Sequence, residues 1–382
     1  MAEKKYFTVP SGQDLQVLRG SRLSSRSSDY IVEDLVGNGA FAKVAKCVKS
    51  ATKEMVALRV VKIHTKSDLQ REHEILLKLR YFNPDECNFV KWHCSFMYKR
   101  HLCQEFELLD MSLREFVTMR PTRSLHLKEI ETILYQLATT LEVLKRLQVA
   151  HSDLKLENIM LVDHVRQPLR VKVIDFGSAC NASNTAHGAY IQTRWYRAPE
   201  TILGLPCSEA IDMWSLGCIA AELFLGHPLY PGSCEYQMLQ FMIQTQGQLP
   251  GYFLSAGLKT SLFYWRTWIN MWTFKKPHEY GTVPFPYNNC MIGSLDGLKE
   301  IHQRPDRHLS KTEAVVDEAD LENFVELVKQ MLHLDSTKRI TPSQVREHPF
   351  MTQRKLIAKE DESNTVHTQP QETRNATFAL TT

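Results

Sequence analysis

Between residues 149 and 177 the chain reads VAHSDLKLENIMLVDHVRQPLRVKVIDFG, and four of its side chains could do chemistry together: Asp153, Lys155, Asn158 and Asp175. Two short apolar runs, Ile159–Val162 and Val171–Ile174, read as buried strands, each carrying a polar cluster at one end. A loop–strand–turn–strand–loop order brings those ends to the same edge of a hairpin, where the four groups can converge. Two carboxylates, an amide oxygen and a cation suit a magnesium-bound nucleotide and a hydroxyl nucleophile. Asp175 and Asn158 supply hard oxygen ligands for Mg²⁺. Asp153 can accept the hydroxyl proton, and Lys155 can neutralise charge on a phosphoryl group in transit.

HSDLKLEN followed by DFG and then by Ala198-Pro199-Glu200 resembles the protein-kinase signature set. DFG alone is a weak signal, whereas three motifs in this order on the expected strands are specific. The wider stretch VKVIDFGSAC…YIQTRWYRAPETILGLPCSEAIDMWSLGCIAAELFLGHPLYPG is similar to the homeodomain-interacting protein kinases, in the group that also holds the dual-specificity tyrosine-regulated kinases. That resemblance covers about residues 29–350. It implies an α+β, two-lobed eukaryotic protein kinase fold, with a small β-rich lobe carrying one long helix and a large, mainly helical lobe. It further implies ATP and Mg²⁺ as cofactors and transfer of the γ-phosphoryl group to Ser or Thr of protein substrates, often before proline. Transcription regulators are expected among the partners. Tyr190 would be the loop tyrosine that such kinases phosphorylate on themselves. Ser152 stands where the general His-Arg-Asp triplet has arginine, so Arg194 and Arg197 are the local cations for a phosphate on Tyr190.

These groups need elements to position them. Residues 30–44 read as a strand, a glycine turn and a second strand, and glycines let backbone N–H groups approach phosphate oxygens closely. By resemblance, Val36, Gly37, Gly39 and Val44 cover the nucleotide, with Ala42 where the pattern has a third glycine. Met55–Lys62 alternates as a strand, and the family's Val-Ala-Ile-Lys lysine falls at Arg59. Strand parity puts Arg59 on the face of Ala57 and Val61, with Lys62 on the other face. Arginine keeps the charge but is longer, planar and forked. If it acts like loss of one preorganised donor, roughly 3–4 kcal/mol is at risk, about 10²–10³ in rate. A catalytically impaired binding scaffold is therefore the competing reading.

Ser67-Asp-Leu69-Gln70 reads as the start of a helix running to about Arg80. Leu69, Glu72, Leu76 and Leu79 share one face and Glu74 lies opposite. A glutamate on an apolar, inward stripe needs a cation, and Arg59 is the candidate for Glu72. His101–Leu109 reads as a strand entering the hinge between lobes. By resemblance Phe106 narrows the back of the nucleotide pocket, while backbone groups of Glu107 and Leu109 meet the adenine edge. Gln104 and Glu105 are unusual in a buried strand, and the sequence assigns them no role.

In the large lobe, Ile130, Ile133, Leu134, Leu137, Leu141 and Leu144 form the apolar stripe of a core helix that leads to the catalytic loop. By resemblance, Asp212 would anchor that loop's backbone and Arg339 would pair with Glu200. The aromatic-rich segment 260–320 reads as a packed insert. Residues 1–28 read as a flexible leader, 29–109 as the small lobe and hinge, 110–351 as the large lobe, and 352–382 as a disordered tail. A net charge of +3 over 382 residues argues against direct nucleic-acid or membrane attraction. Nine cysteines without a CxxC pair read as free thiols in a reducing compartment. With no signal-peptide pattern and no membrane span in view, nucleus or cytoplasm is the expected location.

Overall fold

The computed structural model describes residues 15–39, 42–61, 66–181, 191–283, 292–302 and 318–352. The small lobe is one antiparallel sheet of β1 (Arg22–Ser24), β2 (Asp29–Asn38), β3 (Ala42–Lys49), β4 (Met55–Val61), β5 (Trp92–Tyr98) and β6 (His101–Glu107), in the order β1-β2-β3-β4-β6-β5. Helices α1 (Lys66–Leu79) and α2 (Pro84–Cys87) interrupt it. Alternation decides its two faces. Val56, Leu58 and Val60 of β4 are buried in the lobe's own core with Tyr30, Val32, Ala45 and Cys47, while Ala57 and Arg59 turn to the other side. Glu72, Ile75, Leu76 and Leu79 of α1 are buried and Glu74 is exposed, as the 3.6-residue period requires.

The expectation of a flexible leader does not hold for its residues 15–28. Residues 15–28 are described, Leu23 pairs with Tyr30 across β1 and β2, and Val17 and Leu23 are buried in the small-lobe core. The few apolar residues of this serine-rich stretch keep no regular period, which is why the pattern conceals them. Glu105 also finds its explanation. Its carboxylate accepts hydrogen bonds from the Tyr30 hydroxyl (2.6 Å), Lys49 Nζ (2.9 Å) and Cys94 Sγ (3.3 Å). Burial works against the charge, yet these donors prevail and hold its pKa below the usual carboxylate range.

The large lobe begins with α3 (Leu113–Thr118) and the 20-residue α4 (Leu127–Arg146), whose stripe from Ile130 to Leu144 is buried throughout. There follow β7 (Val149–Ala150), the hairpin β8 (Ile159–Asp163) and β9 (Gln167–Val173), and β10 (Cys180–Asn181), which pairs with β7. Ile159 faces Val173 and Leu161 faces Val171, so the hairpin forms in the register that aligns its two polar ends. Helices α5 (Pro199–Leu203), α6 (Ala210–Leu225), α7 (Glu235–Gln246), α8 (Gly251–Ala256) and α9 (Thr260–Phe263) lead to the small hairpin β11 (Tyr264–Arg266) and β12 (Trp272–Phe274). Then come α10 (Pro277–Tyr280), α11 (Gly297–His302), α12 (Glu318–Met331) and α13 (Pro342–Glu347).

The described part of the insert is aromatic-packed. Tyr236 stacks on Phe274 (4.7 Å) and on Tyr280 (4.6 Å) and donates to the Lys275 carbonyl, while Trp268 and Met271 at the hairpin tip are exposed. Arg339 meets Glu200 through both guanidinium nitrogens, at 2.7 and 3.0 Å, with both residues buried. The tail beyond Thr352 lies outside the described residues.

Candidate active site

β7 delivers the chain into the loop His151–Asn158, and the loop is held from below by α6. The buried Asp212 accepts the backbone N–H groups of His151 (2.6 Å) and Ser152 (3.0 Å). Burial raises its pKa to about 6, against those two donors. Ser152 occupies the left-handed region, φ 65°, which turns the next residue outward. Asp153 is then gripped from three sides. Lys155 Nζ lies 2.6 Å from Oδ2, Asn158 Nδ2 lies 3.1 Å from the same oxygen, and the Thr193 hydroxyl donates to Oδ1 at 2.6 Å. Asn158 Nδ2 also donates to the Asp153 carbonyl (2.8 Å).

Asp175 arrives on the other end of the hairpin. The Ile174 N–H donates to the Asn158 carbonyl (2.9 Å), and the Ile174 carbonyl meets His151 Nε2 (3.0 Å). Asp175 therefore follows directly on a residue bonded to Asn158, and the two expected metal ligands stand on adjoining backbone. Asp175 itself sits at φ 60°, and its carboxylate accepts the Gly177 N–H (3.3 Å). Phe176 is buried against His151 and Phe89, which fixes the turn from beneath.

Arg59 connects this edge to the small lobe. Its Nη1 donates to Glu72 (2.5 Å) and to Gln104 Oε1 (2.9 Å), and its Nη2 to Asp175 (3.2 Å). Glu72 is buried, and that desolvation pushes its pKa up although Arg59 beside it pulls the other way. Gly177 leaves room for the guanidinium: a Cβ there would stand 3.0 Å from Arg59 Nη2 and 3.1 Å from Asp175 Oδ1. Lys62 lies outside the described residues.

Above the site, Gly37, Val44 and Arg59 follow one another across the sheet, and Ala57 pairs with Phe106 in the row two residues along. A Cβ at Gly37 would touch the Val44 side chain at 3.4 Å. Val36 is largely exposed, and the Gly39 N–H donates to the Ala42 carbonyl (3.0 Å). The Glu107 N–H donates to the Lys91 carbonyl (3.0 Å), which leaves any purine contact of that residue to its carbonyl. The Glu107 side chain turns to Lys172, and Leu109 is buried.

Tyr190 lies outside the described residues. Arg194 opens a single 3-10 turn and is partly exposed. Arg197 is buried, with Nη1 on Glu235 (2.8 Å) and Nη2 on the Gln192 carbonyl (2.7 Å). Three residues near the site are given no role by the sequence. Thr193 reaches Asp153 across 40 positions. The buried Gln192 donates to the Ile211 carbonyl (3.0 Å) and Ser215 (2.9 Å) and accepts from Thr201 (2.8 Å), which ties down the segment before α5. Gln104 meets Arg59.

Mg²⁺ takes few protein oxygens and completes its shell from phosphates and water. Asp175 with Asn158 fits that demand, because the amide nitrogen of Asn158 is committed to Asp153 and its oxygen is the remaining donor atom. Among the described residues no group of three His, Cys, Asp or Glu could hold a metal by itself. Residues 30–351 match the family described as Protein kinase domain. Homeodomain-interacting protein kinase 1 of Mus musculus is 44% identical over 353 residues, covering 90% of this chain and 29% of that protein. Homeodomain-interacting protein kinase 2 of Mus musculus is 42% identical with the same coverage. Homeodomain-interacting protein kinase 4 of Homo sapiens is 37% identical over 88% of this chain and 57% of its own length. The chain thus spans between 29% and 57% of these relatives. A two-lobed fold, the Asp153–Asn158 loop beside Asp175, and a family match over nearly all of the described residues lead to one conclusion: the chain belongs to the protein kinase domain family.

Proposed function

We propose that this protein is an ATP-dependent protein kinase that phosphorylates Ser or Thr, preferentially before proline. The observation that carries the reading is how the Asp153 carboxylate is held. Each carboxylate oxygen accepts two hydrogen bonds. Among the described residues Oδ2 has both, from Lys155 and Asn158, whereas Oδ1 has one, from Thr193. One acceptor position on Oδ1 remains for a substrate hydroxyl. Asp153 orients that hydroxyl and takes its proton as the oxygen attacks. Lys155, already on Asp153, balances charge on the transferring group. Asp175 and Asn158 hold the metal, which when bound neutralises phosphate charge. Arg59, backed by Glu72, supplies the cation of the small lobe, and Val44, Ala57 and Phe106 border the purine. Proline direction and phosphorylation of Tyr190 follow from the family resemblance, and a nuclear or cytoplasmic location fits the cysteine usage. The partly exposed Arg194 is the cation for a phosphate on Tyr190, since the buried Arg197 is committed to Glu235 and the Gln192 carbonyl. The relatives' names, which specify homeodomains as partners, support transcription regulators as substrates.

The test is labelling of a Ser/Thr-Pro peptide by purified protein with Mg-ATP. Asp153→Asn is expected to lower the rate by about 10²-fold or more. Equal labelling by both proteins would assign the activity to a contaminant and reject the proposal.

A second reading has one observation in its favour: Arg59 Nη2 lies on Asp175, a residue the metal needs. In that reading Arg59 occupies the metal ligand and the protein is a binding scaffold. Arg59→Lys separates the two. The kinase reading expects a change in turnover below about tenfold, whereas a gain above that from a near-silent parent would identify Arg59 as a brake.

A further inference from the structure

Gln104 has no neighbour in sequence that explains it, yet it is buried at the point where the two lobes' charged groups meet. It lies directly opposite Arg59 in the β4–β6 pairing. Its Oε1 accepts Arg59 Nη1 at 2.9 Å, on the same nitrogen that donates to Glu72. Gln104 and Glu72 thus share one guanidinium nitrogen, each accepting from Arg59 Nη1. A neutral amide is suited to this place, since a leucine could not accept from the guanidinium and a second carboxylate beside Glu72 would add like charge.

The need for such a clamp comes from the chemistry of arginine. A lysine ammonium is a compact charge with rotatable donors, whereas a guanidinium is a planar fork whose usefulness depends on the orientation of its plane. Glu72 alone fixes one edge of the fork. With Gln104 added, Nη1 has two acceptors and Nη2 is left on the Asp175 side, where phosphate oxygens would arrive.

We infer that Gln104 is a positioning residue, coupled to Arg59, which orients the guanidinium so that arginine can serve as the nucleotide-phosphate cation on β4. The inference rests on the kinase reading above and adds the residue that makes Arg59 competent within it. Arg59 and Gln104 act as one unit, and a lysine in place of the arginine would not need the amide.

The experiment is a double-mutant cycle of the parent, Gln104→Met, Arg59→Lys and the double variant. Each is measured for Mg-ADP affinity by calorimetry, for KM and kcat with ATP, and for its unfolding midpoint. Gln104→Met is expected to weaken Mg-ADP binding by about tenfold in the parent and by less than about twofold in the Arg59→Lys background. The loss should appear in KM for ATP more than in kcat. Gln104→Asn, which keeps the amide but withdraws it by one methylene, is the second variant if Gln104→Met impairs folding, and it should give the same contrast. A merely structural glutamine would lower the unfolding midpoint while weakening the nucleotide equally in both backgrounds, and that additivity would overturn the inference while leaving the kinase reading intact. A folded parent that binds no Mg-ADP would overturn both.

Discussion

Arg59 places a planar, forked cation among Glu72, Gln104 and Asp175, three acceptors drawn from helix, strand and loop. Charge-assisted bonds of this kind are strong because both partners are partly removed from water. Removal of one partner exposes the others: Glu72→Gln leaves the guanidinium without its carboxylate, and KM for ATP should rise by about tenfold or more as Arg59 loses its anchor. Unchanged ATP kinetics in that variant would mean that the pair is structural only. Glu105, next to Gln104, gives a prediction in pH. Its pKa is held below the ordinary range, so the charged form is favoured in the folded state. Its contribution is therefore present above the unfolded pKa and lost as pH falls through the carboxylate range. Between about pH 6 and about pH 3, the stability gap between the parent and Glu105→Gln should shrink, as followed by urea unfolding. A gap independent of pH would show that Tyr30, Lys49 and Cys94 do not stabilise the charge.

At the scale of elements, strand and helix periods place most of the site. The β8–β9 hairpin, the inward Glu72 and the Asp212 anchor all rest on local patterns of two or 3.6 residues, or on a motif of fixed spacing. Thr193 and Gln192 are silent in the sequence and Gln104 shows only as an odd polar residue in a buried strand, because partners such as Asp153, Ile211 and Arg59 lie 40, 19 and 45 positions away. The beginning of the small-lobe sheet is hidden for a related reason. Composition averages over a window, and Val17 and Leu23 are buried among residues that are mostly polar and keep no period. Leu23→Ala should lower the free energy of unfolding by about 2–4 kcal/mol, as for other buried leucines. A change within about 0.5 kcal/mol would show that β1 adds nothing to the small lobe.

For the molecule as a whole, the lobes are joined by more than the hinge backbone. Lys172 of β9 is buried and bridges Asp85 of α2 (2.8 Å) and Glu107 at the end of β6 (2.7 Å). One large-lobe cation thus ties down two small-lobe carboxylates behind the site. Breaking a buried pair from one side strands the remaining charges. Asp85 is mostly exposed and water screens part of the loss, so Lys172→Met should cost about 1–3 kcal/mol, read from urea unfolding. Catalysis between the lobes turns on whether Asp175 and Asn158 hold a magnesium nucleotide there. The most direct measurement is the unfolding temperature of the parent and of Asp175→Asn with ATP, each with excess Mg²⁺ or with EDTA. Ligand at about 100 times Kd stabilises by about 2.7 kcal/mol, so the parent should shift upward with Mg-ATP and lose most of that shift in EDTA or on Asp175→Asn. A parent that melts at the same temperature with and without Mg-ATP would contradict it.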